Sequence, residues 1–219
     1  MLRARLVTGM LLASALPAGA HPHIFIDAGI NAVFDDQGRL AAIRVIWTYD
    51  EYYSLAVLED LGLDSDYDGA LTAKEEAQLS GFDMNWIEGF EGDTYGLLGE
   101  EKIALSGPLE PTATLVDGRI VTTHLRALED RIELGETPVI FQAYDPEYYT
   151  AYSITLTPRV EGREGCTAQV FVPQQTEANQ VLLDALAEVG ADETLEDAGF
   201  PAVGAQFADE VRITCAPPS

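Results

Sequence analysis

The chain has 219 residues, with 12 Lys and Arg against 37 Asp and Glu, a formal charge of −25. A field of that sign repels nucleic acid and anionic membrane and gathers cations at the surface. With 47% apolar residues, the chain is expected to bury the core of one domain rather than remain a disordered acidic tail.

Residues 1–20 read as an export signal. Met1-Leu2-Arg3-Ala4-Arg5 is a basic start, Leu6 to Leu16 a mostly apolar run, and Ala18-Gly19-Ala20 a small-residue cleavage site. A membrane anchor needs about 20 apolar residues, more than this run offers. Losing Arg3 and Arg5 with the signal takes the charge to −27. The remainder, 21–219, is expected to be a single exported domain that does not span a membrane.

The mature chain opens on a strand, with Ile24, Ile26, Ile30 and Phe34 on one face at period two. Asp35-Asp36-Gln37-Gly38 is turn chemistry, and Leu40 to Trp47 reads as the returning strand of a hairpin. Tyr52 to Leu63 and Ala73 to Phe90 have helical character around a short acidic loop, a helix-loop-helix insertion over about 50–91. Strands are expected near Tyr95–Leu98, Ile103–Leu105, Thr112–Val116, Ile120–Leu128, Val139–Tyr144, Ala151–Leu156 and Ala168–Val172, with Gly and Pro in most gaps. A helix should cover about Thr176 to Glu188, and Gln206–Thr214 should close the chain partly as strand.

The predicted class is α+β. It is a mostly antiparallel β-sandwich with an EF-hand-like helical insertion after the first hairpin and a C-terminal helix. Cys166 and Cys215 lie outside any CxxC pair in an exported chain, so they are expected to form a structural disulfide.

The strongest chemical signal is Asp64-Ser65-Asp66-Tyr67-Asp68-Gly69-Ala70-Leu71-Thr72-Ala73-Lys74-Glu75, which fits the twelve-residue EF-hand loop at its diagnostic positions. Asp64, Asp66 and Asp68 would give monodentate carboxylates and Ala70 its backbone carbonyl. Thr72 would act directly or through water, and Glu75 would close the site with both oxygens. Gly69 permits the sharp turn. The plain alternative is an acidic surface turn, whose carboxylates would repel one another without a cation. A single extracellular loop is expected to be a structural Ca²⁺ clamp with affinity of roughly 10⁻⁴–10⁻³ M.

The three histidines are His21, His23 and His124. Pro22 lacks the backbone N–H that an amino-terminal square-planar chelate needs at the second residue. Side-chain ligation remains, with His21 and His23 on one face of an extended chain and His124 approaching from a neighbouring strand. Imidazoles suit Ni²⁺, Co²⁺, Zn²⁺ or Cu²⁺. The alternative is a frayed terminus and an ordinary strand histidine.

Tyr49-Asp50-Glu51-Tyr52-Tyr53-Ser54 echoes Tyr144-Asp145-Pro146-Glu147-Tyr148-Tyr149-Thr150. Tyrosine is common at strand ends, where its ring packs and its hydroxyl stays wet. The sharper expectation is that both segments end at one pole and join Asp50, Tyr53, Asp145 and Tyr148 in a polar, aromatic site. No GxSxG, HExxH, P-loop or Rossmann pattern is present, and the chain is not expected to be an enzyme.

The start His21-Pro22-His23-Ile24-Phe25-Ile26-Asp27, then Trp47-Thr48-Tyr49-Asp50, the acidic loop, Tyr144-Asp145-Pro146 and the closing Gly204-Ala205-Gln206-Phe207-Ala208 together carry a resemblance. They resemble an exported bacterial family, domain-of-unknown-function family one thousand and seven. The resemblance covers the mature chain. It implies the periplasmic component of an uncharacterised ABC-type transport system, often found beside nickel/cobalt permeases. The expected function is therefore a periplasmic metal-binding accessory protein of a transition-metal (nickel/cobalt or zinc) transport system, partnered by an inner-membrane metal permease. The alternatives are a calcium-stabilised protein-interaction module without a transition-metal site and, further off, a copper-dependent oxidase.

Overall fold

The computed structural model describes residues 22–174, 176–186, 189 and 203–216, and the expected signal segment 1–20 and His21 lie outside them. Strands β1 (Ile24–Phe34) and β2 (Leu40–Tyr49) form the expected hairpin, with Ile30 opposite Val45. Asp35 builds its turn by accepting from the amides of Gln37 and Arg39. Gly38 takes φ +72°, the left-handed conformation that glycine adopts without steric cost.

Helices α1 (Glu51–Leu61) and α2 (Ala73–Leu79) follow. Next come β3 (Thr94–Leu98), β4 (Glu101–Ile103), β5 (Leu109–Val116), β6 (Arg119–Ile132), β7 (Val139–Ala143), β8 (Thr150–Ile154), β9 (Val160–Glu161) and β10 (Cys166–Phe171). Helices α3 (Glu177–Leu186) and α4 (Gly204–Phe207) and strand β11 (Glu210–Cys215) complete the order.

One sheet runs β5-β6-β2-β1-β8 with β9 also beside β1, and the other runs β10-β11-β7-β3-β4. The second sheet is antiparallel throughout, whereas β8 and β9 pair with β1 in parallel. The first sheet is therefore mixed. The inward rows of both sheets join one core: Ile30 and Phe34 of β1, Val45 and Trp47 of β2, Phe141 of β7 and Ile213 of β11 all belong to it. Each such side chain, fully buried, contributes about 1.5–3 kcal/mol.

The helix expected over Ala73 to Phe90 ends instead at Leu79. Phe82, Trp86 and Phe90 recur at helical spacing, yet Gly81 adopts φ +80° and turns the chain across the end of the core. Local periodicity mimicked a helix there, and tertiary contacts decided otherwise. Cys166 and Cys215 sit directly opposite in the β10–β11 ladder and are disulfide-bonded, 49 residues apart in sequence. Closing a loop of that length stabilises the fold by about 4 kcal/mol in the chain-entropy account. No helix among the described residues is long and apolar enough to cross a membrane.

Candidate functional site

Helix α1 stops at Gly62, whose φ of +66° lets its N–H return to the carbonyls of Glu59 and Leu58. Leu63 then plugs into the core, and the acidic loop begins. Carboxylate oxygens of Asp64, Asp66 and Asp68 all lie within 4.8 Å of one another. Asp64 Oδ1 accepts from the amides of Asp68 and Gly69 at 3.1 and 3.2 Å, and Asp68 Oδ1 accepts from Ala70 N at 2.9 Å. Gly69 turns at φ +76°.

Thr72 caps α2 in a reciprocal box: its hydroxyl accepts from Glu75 N, and its own N–H donates to Glu75 Oε2 at 2.8 Å. Glu75 Oε1 reaches back to the Asp64 amide at 3.3 Å, so its carboxylate spans the start and the end of the loop. Donation from the Thr72 hydroxyl, then from the Thr72 amide, holds the Glu75 carboxyl below its ordinary range. The donor set is all oxygen, which suits a hard divalent cation.

Both helices are fastened to the first sheet. Asp50 caps α1 by accepting from Tyr53 N, and buried Ser54 accepts from Ile120 N of β6 at 2.9 Å. From α2, Leu79 is buried and Glu76 Oε1 accepts from Thr114 of β5 at 2.7 Å. Gln78 donates to the Leu61 carbonyl at 3.1 Å and ties the two helices together.

The structure separates His23 from His124, and His21 lies outside the described residues. His23 precedes β1, and its N–H donates to the Tyr149 carbonyl at 2.8 Å while its ring lies 4.6 Å from that of Tyr149. His124 opposes Val45, which opposes Ile30, so it lies level with a residue seven positions beyond His23. At about 3.3 Å per strand residue that is roughly 23 Å along the sheet. The pleat turns Thr122, His124 and Arg126 of β6 inward with the core. His124 is fully buried, edge-on to Trp47 at 4.9 Å and to Trp86 at 5.6 Å. Neither ring nitrogen has a protein partner. Burial, reinforced by the Arg126 charge, pushes its pKa down to about 3. His124 is thus an interior residue that does not join His23.

Asp50 and Asp145 do share a pole. Asp50 Oδ2 accepts from Phe25 N at 2.9 Å, and Asp145 Oδ2 accepts from Thr150 N at 3.0 Å, where Thr150 opposes Ile24. The two segments therefore flank the start of β1 on either side. Both carboxylates are occupied in shaping backbone turns. Tyr53 packs on Tyr49 at 5.1 Å, whereas Tyr148 packs on Phe207 at 5.9 Å, facing a small separate cluster. Phe25, Tyr52 and Tyr149 are exposed, Tyr52 at 87%.

Three interior charged residues escaped the sequence reading. Asp83 Oδ2 accepts from Tyr49 OH at 2.8 Å and Thr122 Oγ1 at 2.9 Å. Asp93 Oδ2 accepts from Tyr152 OH at 2.9 Å, and burial, with the nearby Asp145 charge, raises its pKa to about 7. Arg126 stacks over the Trp86 ring at 4.7 Å. Arg126 alternates with Thr122 and His124 on the buried face of β6, a placement its charged side chain does not suggest.

The sequence profile described as "Protein of unknown function (DUF1007)" matches residues 6–215, nearly the whole chain. No curated protein matches the chain.

Proposed function

The chain belongs to the DUF1007 family of proteins of unknown function, and we propose that it is an exported calcium-binding accessory protein. In this reading loop Asp64–Glu75 holds one Ca²⁺, and the pole around Phe25, Tyr52 and Tyr149 docks a membrane-transport partner, an inner-membrane metal permease. The observation that carries the calcium site is the convergence of the Asp64, Asp66 and Asp68 oxygens within 4.8 Å. Glu75 turned back onto Asp64 supports it. The role is a clamp, because Leu63 before the loop and Leu79 after it are both core residues. A bound ion removes repulsion that otherwise pushes the two helices apart.

At roughly 1 mM Ca²⁺ and a Kd of about 10⁻⁴ M, binding stabilises the fold by about 1.4 kcal/mol. For a domain of this size that is a rise of roughly 3–6 °C in Tm. The test is thermal unfolding of chelator-treated protein with and without Ca²⁺, for the parent chain and for Glu75→Gln. The calcium-dependent rise should vanish in the variant, whose Tm without calcium should change little. An equal rise in both proteins would refute the clamp.

The transition-metal role implied by the family resemblance rests, in this reading, on His21 and His23 without His124. Titration of Zn²⁺, Ni²⁺, Co²⁺ and Cu²⁺ against His23→Ala and His124→Leu tests it separately. Loss of tight binding in the first variant alone supports a terminal site, and loss in the second alone overturns it.

A further inference from the structure

In a chain this acidic, one guanidinium stands in the interior without a counter-ion. Arg126 is 3% exposed, in the middle of β6. Its Nε donates to the Ser106 carbonyl and its Nη1 to the Glu91 carbonyl at 2.9 Å, both neutral acceptors. Among the described residues it makes no ion pair, and Nη2 has no protein partner. A buried charge without a counter-ion is costly unless something supplies one.

Beside Arg126 lies a cavity of about 110 Å³ between β3, β4 and β6, with Trp86, Phe90 and Tyr95 among its walls. Thr94 also lines it. That residue is 2% exposed, and its Oγ1 has no protein partner. Lys102 at the same cavity is paired with Glu91 and lies over the Tyr95 ring at 5.6 Å. The local charge is therefore that of Arg126 alone, a single positive charge. Arg126, with Nη2 unpartnered, and Thr94, with a buried unpartnered hydroxyl, both line a small chamber with aromatic walls.

We propose that this chamber binds a small monocarboxylate, its two oxygens accepting from the Arg126 guanidinium and the Thr94 hydroxyl and its apolar body lying against Trp86 and Phe90. One negative charge matches the one uncompensated positive charge, whereas a phosphate dianion would leave excess charge buried. A cavity of about 150 Å³ holds benzene, so 110 Å³ limits the ligand to a short-chain acid of roughly three to six heavy atoms. The inference is independent of the calcium loop.

Calorimetric titration of the processed protein with acetate, propionate and inorganic phosphate at constant ionic strength tests it. Propionate should bind saturably at one site, and Arg126→Gln should abolish the signal. Because that variant also removes the contact with Trp86 and can misfold, Thr94→Val is the sharper test. It deletes a hydroxyl with no protein partner, so Tm without ligand should hold or rise while propionate affinity falls roughly five- to tenfold. Absence of saturable propionate binding, equal affinity in Thr94→Val and the parent chain, or tighter binding of phosphate than of propionate would each overturn the proposal.

Discussion

His124 and Asp93 are both buried titratable groups, and they act on stability in opposite directions. The folded pKa of His124 is about 3 against an ordinary 6.5, so below pH 6.5 the unfolded chain takes up a proton that the folded one refuses. Stability is lost by on the order of 1 kcal/mol per pH unit as pH falls from 6.5 toward 3. His124→Leu removes two ring nitrogens that have no protein partner. It should raise Tm at neutral pH and flatten the acid limb, as urea denaturation between pH 4 and 7 will show. A variant that unfolds more readily than the parent at neutral pH would contradict this.

Asp93, with a folded pKa of about 7 against 3.8, is favoured protonated in the fold, so its penalty grows as pH rises from 3.8 through 7. Asp93→Asn keeps an acceptor for Tyr152 and does not ionise. It should stabilise by roughly 2–3 kcal/mol more at pH 8 than at pH 5. A pH-independent difference would show that Asp93 does not titrate between those limits.

At the scale of elements, the helical pair between β2 and β3 is held at both ends by side chains rather than by an amphipathic stripe. Only Ser54 and Leu58 of α1 are buried. Ser54→Ala leaves the Ile120 N–H without its acceptor inside the contact between α1 and β6, which costs about 1–3 kcal/mol. Its Tm should fall by several degrees with or without calcium, unlike that of Glu75→Gln, and so separates anchoring of the helix from closure of the loop. Within this insertion, the cluster of Asp64, Asp66 and Asp68 was legible because its spacing is contiguous. The end of α2 was not, because Phe82, Trp86 and Phe90 have helical spacing, yet Phe82 packs on Tyr49 and Trp86 on His124.

At the scale of the molecule, a half-buried ion pair also organises the first sheet. Arg119 pairs with Asp27 at 2.7 Å and also donates to the carbonyls of Thr48 and Tyr49, locking the end of β2 to β1. The pole at the start of β1 gathers the two tyrosine segments that the sequence placed 95 residues apart, at Asp50 and Asp145. Phe25, Tyr52 and Tyr149 stand exposed at this pole, while Tyr67, Phe90 and Phe171 are exposed elsewhere.

The sequence by itself determined the hairpin, most strand positions, the cysteine pairing and the acidic loop. Each is written in contiguous residues or, for the cysteines, in the lack of any other partner. Period-two burial, Asp and Gly turn chemistry and the alternate spacing of Asp64, Asp66 and Asp68 need no knowledge of the far side of the molecule. Only the tertiary structure decided that β8 and β9 run parallel to β1, that His124 and His23 lie far apart, and that Arg126 and Thr94 face one chamber. Those outcomes depend on register between strands distant in sequence. A register is chosen by the summed packing of two faces, so no single segment contains it.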